Sequence, residues 1–255
     1  MIIREGSNGF VMIEQDYHAH ISGEIITNWK DSLFHEPNLR GSVEYAIFNH
    51  DYGWKLIDKQ PFWNDQKQAP YSFIDFPTPP KTVFYKHGID EIEKVDPYAG
   101  LLCSRHYTRF LIDDTSPEAE AFVQKEEKRQ RNLKHSLPAF DKALFDFHYG
   151  LLQFCDNLSL YICLNEPGTS NKEEHPFFKD GLPVPASLDI CNQDKLHLRW
   201  KDKNTIQMSD FPFDGPVYTS LKQKVVSKGA ISANGVIESY QEMPFVEIDI
   251  SLEPE

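Results

Sequence analysis

The chain is poor in glycine and cysteine, and it lacks the short motifs of several common enzyme classes. Its 255 residues include 13 glycines and 4 cysteines. It contains no glycine-rich phosphate loop, no G-x-S-x-G elbow and no dinucleotide fingerprint, which excludes the commonest P-loop, serine hydrolase and Rossmann enzymes. None of the cysteines has C-x-x-C spacing, so neither a zinc ribbon nor a thioredoxin motif is predicted.

Positive charge and long apolar runs are also scarce. The 26 lysines and arginines stand against 39 aspartates and glutamates, which gives a formal charge of −13. An acidic surface repels a phosphate backbone and an anionic bilayer, so we expect neither a nucleic-acid partner nor a membrane partner. No apolar run approaches the roughly 20 residues that span a bilayer. Residues 1–6 lack a basic-then-apolar signal, so we expect a cytoplasmic protein.

Hydrophobic periodicity predicts a helical body followed by short strands. Apolar residues recur at helical spacing up to residue 164, and alternating segments bounded by turn residues follow. The sequence therefore predicts a mainly α helical bundle over 1–165, with a short N-terminal β hairpin, and a small antiparallel β appendage over 166–255. The predicted helices begin near residue 16 and then span 42–50, 82–95, 97–112, 116–137 and 139–164. The predicted strands span 1–4, 10–13, 187–191, 195–200, 205–208, 217–227 and 245–252.

The most specific local signal is a histidine–aspartate pair, His50 and Asp51, at the C-terminal end of an apolar helix. Adjacent side chains on a regular helix point about 100° apart, but at a helix end the chain can turn so that both face one cation. Imidazole and carboxylate ligands suit iron, manganese, zinc or nickel. His18 lies on the preceding predicted helix. Asp156 lies among leucines and phenylalanines, where a carboxylate needs a partner such as a metal or the Ser159 hydroxyl.

The order His18, His50-Asp51, Asp156 along successive helices is similar to the metal-binding pattern of the HD-domain metal-dependent phosphohydrolase superfamily. Residues 155–159 also resemble the sequence around the last aspartate of that pattern. The resemblance implies an HD-domain-like helical bundle in which these four residues bind one metal ion. The whole chain also resembles a bacterial family of unknown function, which implies no activity, in the segments 15–25, 50–54, 96–106 and 155–160.

Other histidines offer alternative ligands. His20 is two positions from His18 and faces another direction on a helix, so we favour His18. HD enzymes with two metals have further histidines before the last aspartate. His106 follows an apolar helical run and suits this role better than His87, which precedes a glycine. His148 is predicted to lie in the core or beside the ligands. The predicted ligands of one or two divalent transition metal ions are therefore His18, His50, Asp51, His106 and Asp156.

A metal in such a site lowers the pKa of bound water and polarises a phosphoryl oxygen. We therefore expect a hydrolase with a small-molecule substrate, either a phosphoester or a nucleotide, in which Asp51 also orients the attacking water. Arg105 is the leading candidate to bind the phosphate, ahead of Lys86 and Arg109. An aromatic loop over 54–76 could close over the site with an apolar wall formed by Trp54, Trp63, Tyr71 and Phe73.

Two other functions stay open on the sequence. Some HD-fold proteins hold two irons and activate oxygen, so the first alternative is a di-iron oxygenase in which a carboxylate such as Asp51 bridges the irons. The second is a non-catalytic regulatory module with a structural metal, in which His50→Ala lowers stability but abolishes no turnover. Metal count and identity separate the hydrolase from the oxygenase. Open strand edges of the β appendage could mediate a homodimer.

Overall fold

The structure is a computed structural model that describes residues 1–190 and 194–255. Within those residues it contains eight α-helices and ten β-strands. The helices are α1 (Gln15–Thr27), α2 (Arg40–Asn49), α3 (Thr78–Val95), α4 (Pro97–Leu111), α5 (Pro117–Ser136), α6 (Lys142–Leu164), α7 (Lys228–Asn234) and α8 (Val236–Glu242). The strands are β1 (Ile2–Glu5), β2 (Gly9–Ile13), β3 (Trp63–Asn64), β4 (Ala69–Pro70), β5 (Leu182–Pro183), β6 (Lys195–Leu196), β7 (Leu198–Trp200), β8 (Thr205–Met208), β9 (Val217–Ser227) and β10 (Val246–Pro254).

Six strands form one mixed sheet in the order β1-β2-β9-β10-β8-β7, in which β10 and β8 are parallel and the other neighbours are antiparallel. The predicted fold class, a mainly α HD-domain-like bundle with a small antiparallel β appendage, is therefore wrong. The N-terminal hairpin joins the C-terminal strands through β2 and β9, with Gly9 opposite Ser227. Local periodicity cannot reveal this pairing because the partners lie at opposite ends of the chain.

The predicted boundary at residue 165 stays a prediction, although the sheet draws strands from both sides of it. The predicted strand over 187–191 is absent from the described residues 187–190, and Cys191 lies outside the described residues. Two short helices, α7 and α8, follow β9 where no helix was predicted. Among the helices in the described part of the chain, we find none that combines the length and the apolar character needed to cross a bilayer.

Three of the longer helices, α4, α5 and α6, begin at a residue whose side chain caps them. Asp96 accepts hydrogen bonds from the backbone of Tyr98 and Ala99 at the start of α4, and Asp141 and Ser116 cap α6 and α5 in the same way. These caps satisfy backbone donors that have no partner within the helix. Each cap therefore fixes the residue at which its helix begins, and with it the face that the helix presents to the core.

The long helix α6 lies at the centre of the fold. It is apolar around most of its circumference, and it packs against α1, α2 and α4 as well as against β1 and β5. A helix that is apolar on all sides is stable only when it is buried on all sides. The residues of α1, α2 and α4 that face α6 are thereby brought to one place, and these are the helices that carry the predicted metal ligands.

Candidate metal centre

Five buried side chains from α1, α4, α6 and the turn that follows α2 meet at one place. His18 lies on the buried face of α1, His106 lies on α4, and Asp156 lies on α6. His50 caps the C-terminus of α2, and Asp51 begins the 3₁₀ turn that follows. The change of backbone direction at this helix end allows the adjacent His50 and Asp51 side chains to face the same point, as the sequence predicted.

The ligand atoms of four of these residues lie within a few ångströms of one another. Asp156 Oδ1 is 3.0 Å from His18 Nε2 and 3.5 Å from His50 Nε2, and the two imidazole nitrogens are 3.3 Å apart. Asp51 Oδ2 is 3.8 Å from His18 Nε2 and 3.7 Å from His50 Nε2. Three nitrogens or oxygens at about 2.0–2.2 Å from one transition metal ion lie at such mutual distances. These buried groups could therefore hold a metal ion.

His106 faces the other oxygen of the Asp156 carboxylate. Its Nε2 lies 3.8 Å from Asp156 Oδ2, whereas His18 and His50 face Oδ1. The ligand atoms of His50, His106 and Asp156 form a second compact group, next to the group of His18, His50 and Asp51. The Asp156 carboxylate thus lies between two sets of imidazoles, and the site has ligands enough for one ion or for two.

Hydrogen bonds outside the cluster orient the imidazoles. His50 donates from Nδ1 to the Ile47 carbonyl at 2.7 Å, which leaves Nε2 as its inward-facing nitrogen. His18 Nδ1 is 2.8 Å from the Ser159 hydroxyl. Gln15 Nε2 donates to Asp51 Oδ2 at 3.0 Å. Partners of this kind fix the tautomer and the ring orientation of metal-binding histidines.

Close backbone packing holds the His50-Asp51 turn in place. A Cβ atom added to Gly53 would lie 2.3 Å from the Phe84 carbonyl oxygen, and one added to Gly88 would lie 2.6 Å from the Gly53 nitrogen. Only glycine permits such an approach between two backbones. The turn therefore rests directly on the backbone of α3.

The charges in the cluster depend strongly on one another. Burial alone would lower the pKa of His50, but the Asp51 and Asp156 carboxylates and the Ile47 carbonyl raise it to about 9. Burial would raise the pKa of Asp156, but hydrogen bonds with His18 and His50 hold it well below its usual range. Burial raises the pKa of Asp51, and the nearby His50 and His18 oppose this rise. Burial lowers the pKa of His106 to about 3, so that its imidazole is neutral.

A cavity of about 460 Å³ opens from the cluster. Gln15, His18, Asp51, His106 and Asp156 line its inner end. Its other lining residues are Trp54, Phe73, Ile74, Lys81, Tyr85, Arg109, Phe110, Asn157, Leu160, Phe177, Phe178 and Pro183. The volume falls within the range of small-molecule sites, about 300–1,000 Å³.

The cations in this cavity are not those favoured from the sequence. Arg105 and Arg109 are both exposed, but the Arg105 guanidinium lies over the Tyr149 ring and Arg105 does not line the cavity. Arg109 and Lys81 line it instead. Arg105 and His106 are adjacent on α4 and point about 100° apart, whereas Arg109 follows His106 by three residues and lies on the same face.

The predicted aromatic wall is present in part. Trp54 and Phe73 line the cavity, but Trp63 packs on Phe10 at a ring-centroid distance of 6.2 Å and Tyr71 packs on Phe76. The loop that carries them contains the short β3–β4 hairpin, which takes Trp63 away from the site.

A model of the family described as "Protein of unknown function (DUF3891)" matches residues 1–228. The chain belongs to this family. Neither the search of curated proteins nor the search of solved structures gave a match. Membership confirms the resemblance to a family of unknown function, and it provides no link to the HD-domain superfamily.

Three other histidines of this DUF3891 protein lie outside the centre. His20 is exposed and packs edge-on against Phe48. His87 is exposed beside Glu91. His148 is buried, but it bonds to the Tyr98 hydroxyl at 2.7 Å and to the His35 carbonyl at 2.9 Å.

Sequence reasoning missed two polar residues of the DUF3891 site. Gln15 precedes His18 by three residues, so helical spacing could have placed both on one face. Lys81 is a buried residue near the start of α3, and it donates from Nζ to the Phe73 carbonyl at 3.0 Å. Its position follows from packing between loop and helix, and nothing in the local sequence indicates it.

Metal binding to this DUF3891 protein is expected to release a proton from His50. With its pKa raised from 6.5 to about 9, the metal-free imidazole is protonated at pH 7.5 and must lose that proton to bind a metal. We expect calorimetric titrations in buffers of different ionisation enthalpy to show about one proton released per ion at pH 7.5, and affinity to rise up to about pH 9. Affinity that is independent of pH from 6.5 to 9 would contradict this assignment.

The same pKa sets the pH dependence of the metal-free protein. Because the folded-state pKa of His50 is raised, its proton stabilises the fold fully below pH 6.5, and this contribution is lost as pH rises through about 9. The free energy of unfolding of the metal-free protein is therefore expected to fall between pH 6.5 and 9. The metal-loaded protein is expected to lose less over the same range.

Proposed function

We propose that this protein is a metal-dependent hydrolase that cleaves small phosphoesters. The observation that carries the proposal is the placement of the His/Asp cluster at the inner end of a cavity whose walls carry Lys81 and Arg109. Carboxylates alone would repel a phosphate. A divalent ion balances the charge of the two carboxylates of the cluster. Lys81 and Arg109 then add the positive charge that a phosphoester requires.

Lys81 is available to a phosphate because its acidic neighbours are bonded elsewhere. Burial lowers the pKa of Lys81, and the nearby Asp75 and Asp114 oppose this fall. Asp75 forms its ion pair with Lys67 at 2.9 Å, and Asp114 accepts from the Thr78 hydroxyl at 2.8 Å. A partly desolvated ammonium without a carboxylate partner gains most from an anionic ligand.

Four of the five cluster residues have a role in this scheme. A bound divalent ion supplies a phosphoryl-polarising charge and lowers the pKa of water. His18, His50, Asp51 and Asp156 would hold the ion, as the resemblance to the HD superfamily also implies. Asp51 accepts from Gln15 at Oδ2, so Oδ1 is available to orient the attacking water and take its proton. Lys81 and Arg109 bind the phosphate oxygens and orient the leaving group towards the cavity mouth.

The test of this proposal is phosphatase activity after loading with manganese, iron, zinc or nickel. We expect turnover of a small aryl phosphate with at least one of these metals, and loss of that turnover in His50→Ala. Metal binding without turnover of any phosphomonoester or phosphodiester would contradict the hydrolase and support the non-catalytic metal-binding module.

Arg109→Gln is expected to lower kcat/KM for the phosphoester roughly 10-fold to 100-fold. A hydrogen bond to a charged group contributes about 1.5–3 kcal/mol, and the substitution removes the guanidinium that lines the cavity. Arg105→Gln is the matched control, since Arg105 lies on the same helix outside the cavity. Equal losses in both variants would exclude a specific role for Arg109.

A di-iron oxygenase is the second candidate, and the Asp156 carboxylate favours it. One of its oxygens faces His18 and His50 and the other faces His106, as expected of a carboxylate that bridges two ions. Two irons per chain and oxygen uptake in the iron-loaded protein, without phosphatase activity, would support this candidate. A single ion per chain would exclude it.

A further inference from the structure

Three large apolar side chains surround the mouth of the cavity and are exposed to solvent. Ile74, Phe110 and Phe177 are 52%, 46% and 54% exposed, and all three line the cavity. They come from separate parts of the chain: the loop before α3, the end of α4 and the loop after α6. Single exposed apolar residues are common, but a group around one opening indicates a binding surface.

The apolar surface continues from this mouth to the candidate metal ligands. Trp54, Phe73, Tyr85 and Phe178 form aromatic walls below it. The ring of Phe110 packs edge-on against the His106 ring at a centroid distance of 4.7 Å. An apolar path therefore runs from solvent to the inner end of the cavity, where the charged groups lie.

The loop that carries Phe177 is held in place by two hydrogen bonds to α6 and its C-cap residue, one of them buried and the other partly buried. The Tyr161 hydroxyl donates to Glu174 Oε1 at 2.7 Å, and the His175 backbone donates to Asn165 Oδ1 at 2.7 Å. The neighbouring Phe178 packs edge-on against Tyr161. The exposed Phe177 ring is thus presented by an anchored segment, as expected of a wall that contacts a ligand.

We propose that the ligand of this cavity is an amphiphilic phosphomonoester, with its phosphate at the His/Asp cluster and an alkyl or aryl body against the aromatic walls and the mouth. The proposal rests on the proposed function, which supplies the phosphate end. Charge complementarity with the buried Lys81, beside a metal-loaded cluster, fixes the orientation. A sugar body would place hydroxyl groups against aromatic walls that offer them few partners, which is costly.

The test measures binding rather than turnover. Inorganic phosphate and alkylphosphonates from methyl to octyl, below their micellar concentrations, are titrated calorimetrically into the protein with and without manganese. Phosphonates cannot be hydrolysed, so the result does not depend on catalysis. We expect affinity to rise up to roughly fourfold per buried methylene and to level off once the chain passes the mouth.

Variants at the mouth locate the apolar contact. Phe177→Ala and Ile74→Ala are expected to weaken octylphosphonate binding roughly tenfold, and inorganic phosphate binding less than about twofold. Phe62→Ala and Ile237→Ala are matched controls, because these side chains are 49% and 42% exposed and do not line the cavity. The proposal is supported if affinity no longer depends on chain length in the mouth variants but still does so in the control variants.

The outcomes separate this proposal from the proposed function. Affinity that rises with chain length in a protein without phosphatase activity supports the amphiphilic ligand and contradicts the hydrolase. Phosphatase activity with equal affinity for phosphate and octylphosphonate supports the hydrolase and overturns the amphiphilic ligand. Failure of every member of the series to bind at millimolar concentration also overturns it.

Discussion

Replacing Asp156 with alanine is expected to abolish stoichiometric metal binding. Asp156 contacts all three histidines of the cluster, with Oδ1 facing His18 and His50 and Oδ2 facing His106. Loss of a residue that merely orients a ligand already costs about 10-fold to 100-fold in metal affinity. Loss of the central carboxylate is expected to cost more than about 100-fold, which elemental analysis of the purified variant would detect.

The substitution is also expected to destabilise the metal-free fold. Breaking a buried ion pair by removing one partner costs about 3–5 kcal/mol, and the substitution removes the carboxylate that His18 and His50 face. Asp156→Asn keeps the shape of the side chain and serves as the variant that folds if Asp156→Ala does not. Asp146→Ala is the matched control, since Asp146 lies on the same helix and pairs with Lys142 at the surface. Stoichiometric metal in both Asp156 variants would remove this residue from the ligand set.

Gly88→Ala is expected to destabilise the protein by about 1–3 kcal/mol and to weaken metal binding. The added Cβ would lie 2.6 Å from the Gly53 nitrogen and 3.0 Å from its Cα, and neither backbone atom can move without shifting the turn. Because the turn carries His50 and Asp51, the same displacement moves two ligands. Thermal unfolding and metal titration of the variant measure the two effects.

Gly41→Ala provides the contrast. Gly41 lies in the first turn of α2, and nothing lies within 4 Å of the position of an added Cβ. Alanine is favoured over glycine in a helix by up to about 1 kcal/mol, so this variant is expected to be as stable as the wild type or more so. If Gly88→Ala behaved like Gly41→Ala, the α3 contact would not be what positions the turn.

Part of the cluster was accessible to sequence reasoning because Asp156 and the His50-Asp51 pair conflict with their surroundings, whereas His18 and His106 were assigned through the resemblance to the HD-domain superfamily. Asp156 lies in a helix of leucines and phenylalanines, and His50 and Asp51 lie where an apolar helix ends. Buried charge in such places requires a partner. The structure brings these residues together with His18 and His106, and their binding of a metal stays a prediction.

The six-stranded sheet could not be predicted from the sequence, because local sequence does not determine which strands pair. The segments that form β9 and β10 were predicted as strands, but the strands with which they pair were not identified. Pairing between β2 and β9 depends on the whole chain. The alternation of residues along β9 is as compatible with a small appendage as with the centre of a six-stranded sheet. Strand order and direction, including the parallel pair β8 and β10, follow from tertiary packing.

The choice between Arg105 and Arg109 as the phosphate-binding residue could have been made correctly from local sequence. Arg105 was favoured because it is adjacent to His106, although adjacent residues on a helix diverge. Arg109, one turn later on the same face, lines the cavity. Helical spacing, applied to the arginines as it was to the histidines, places Arg109 closer than Arg105 to the face of α4 that carries His106.

Anomalous X-ray diffraction from crystals of the wild-type protein, recorded on both sides of the absorption edges of manganese, iron, nickel and zinc, tests the central claim most directly. We expect a peak beside α6 at about 2.0–2.2 Å from His18 Nε2, His50 Nε2 and oxygens of Asp51 and Asp156. The edge at which it appears identifies the metal, and a second peak beside His106 would show two ions. No peak at this place, in crystals grown with each of these metals added, would contradict the account.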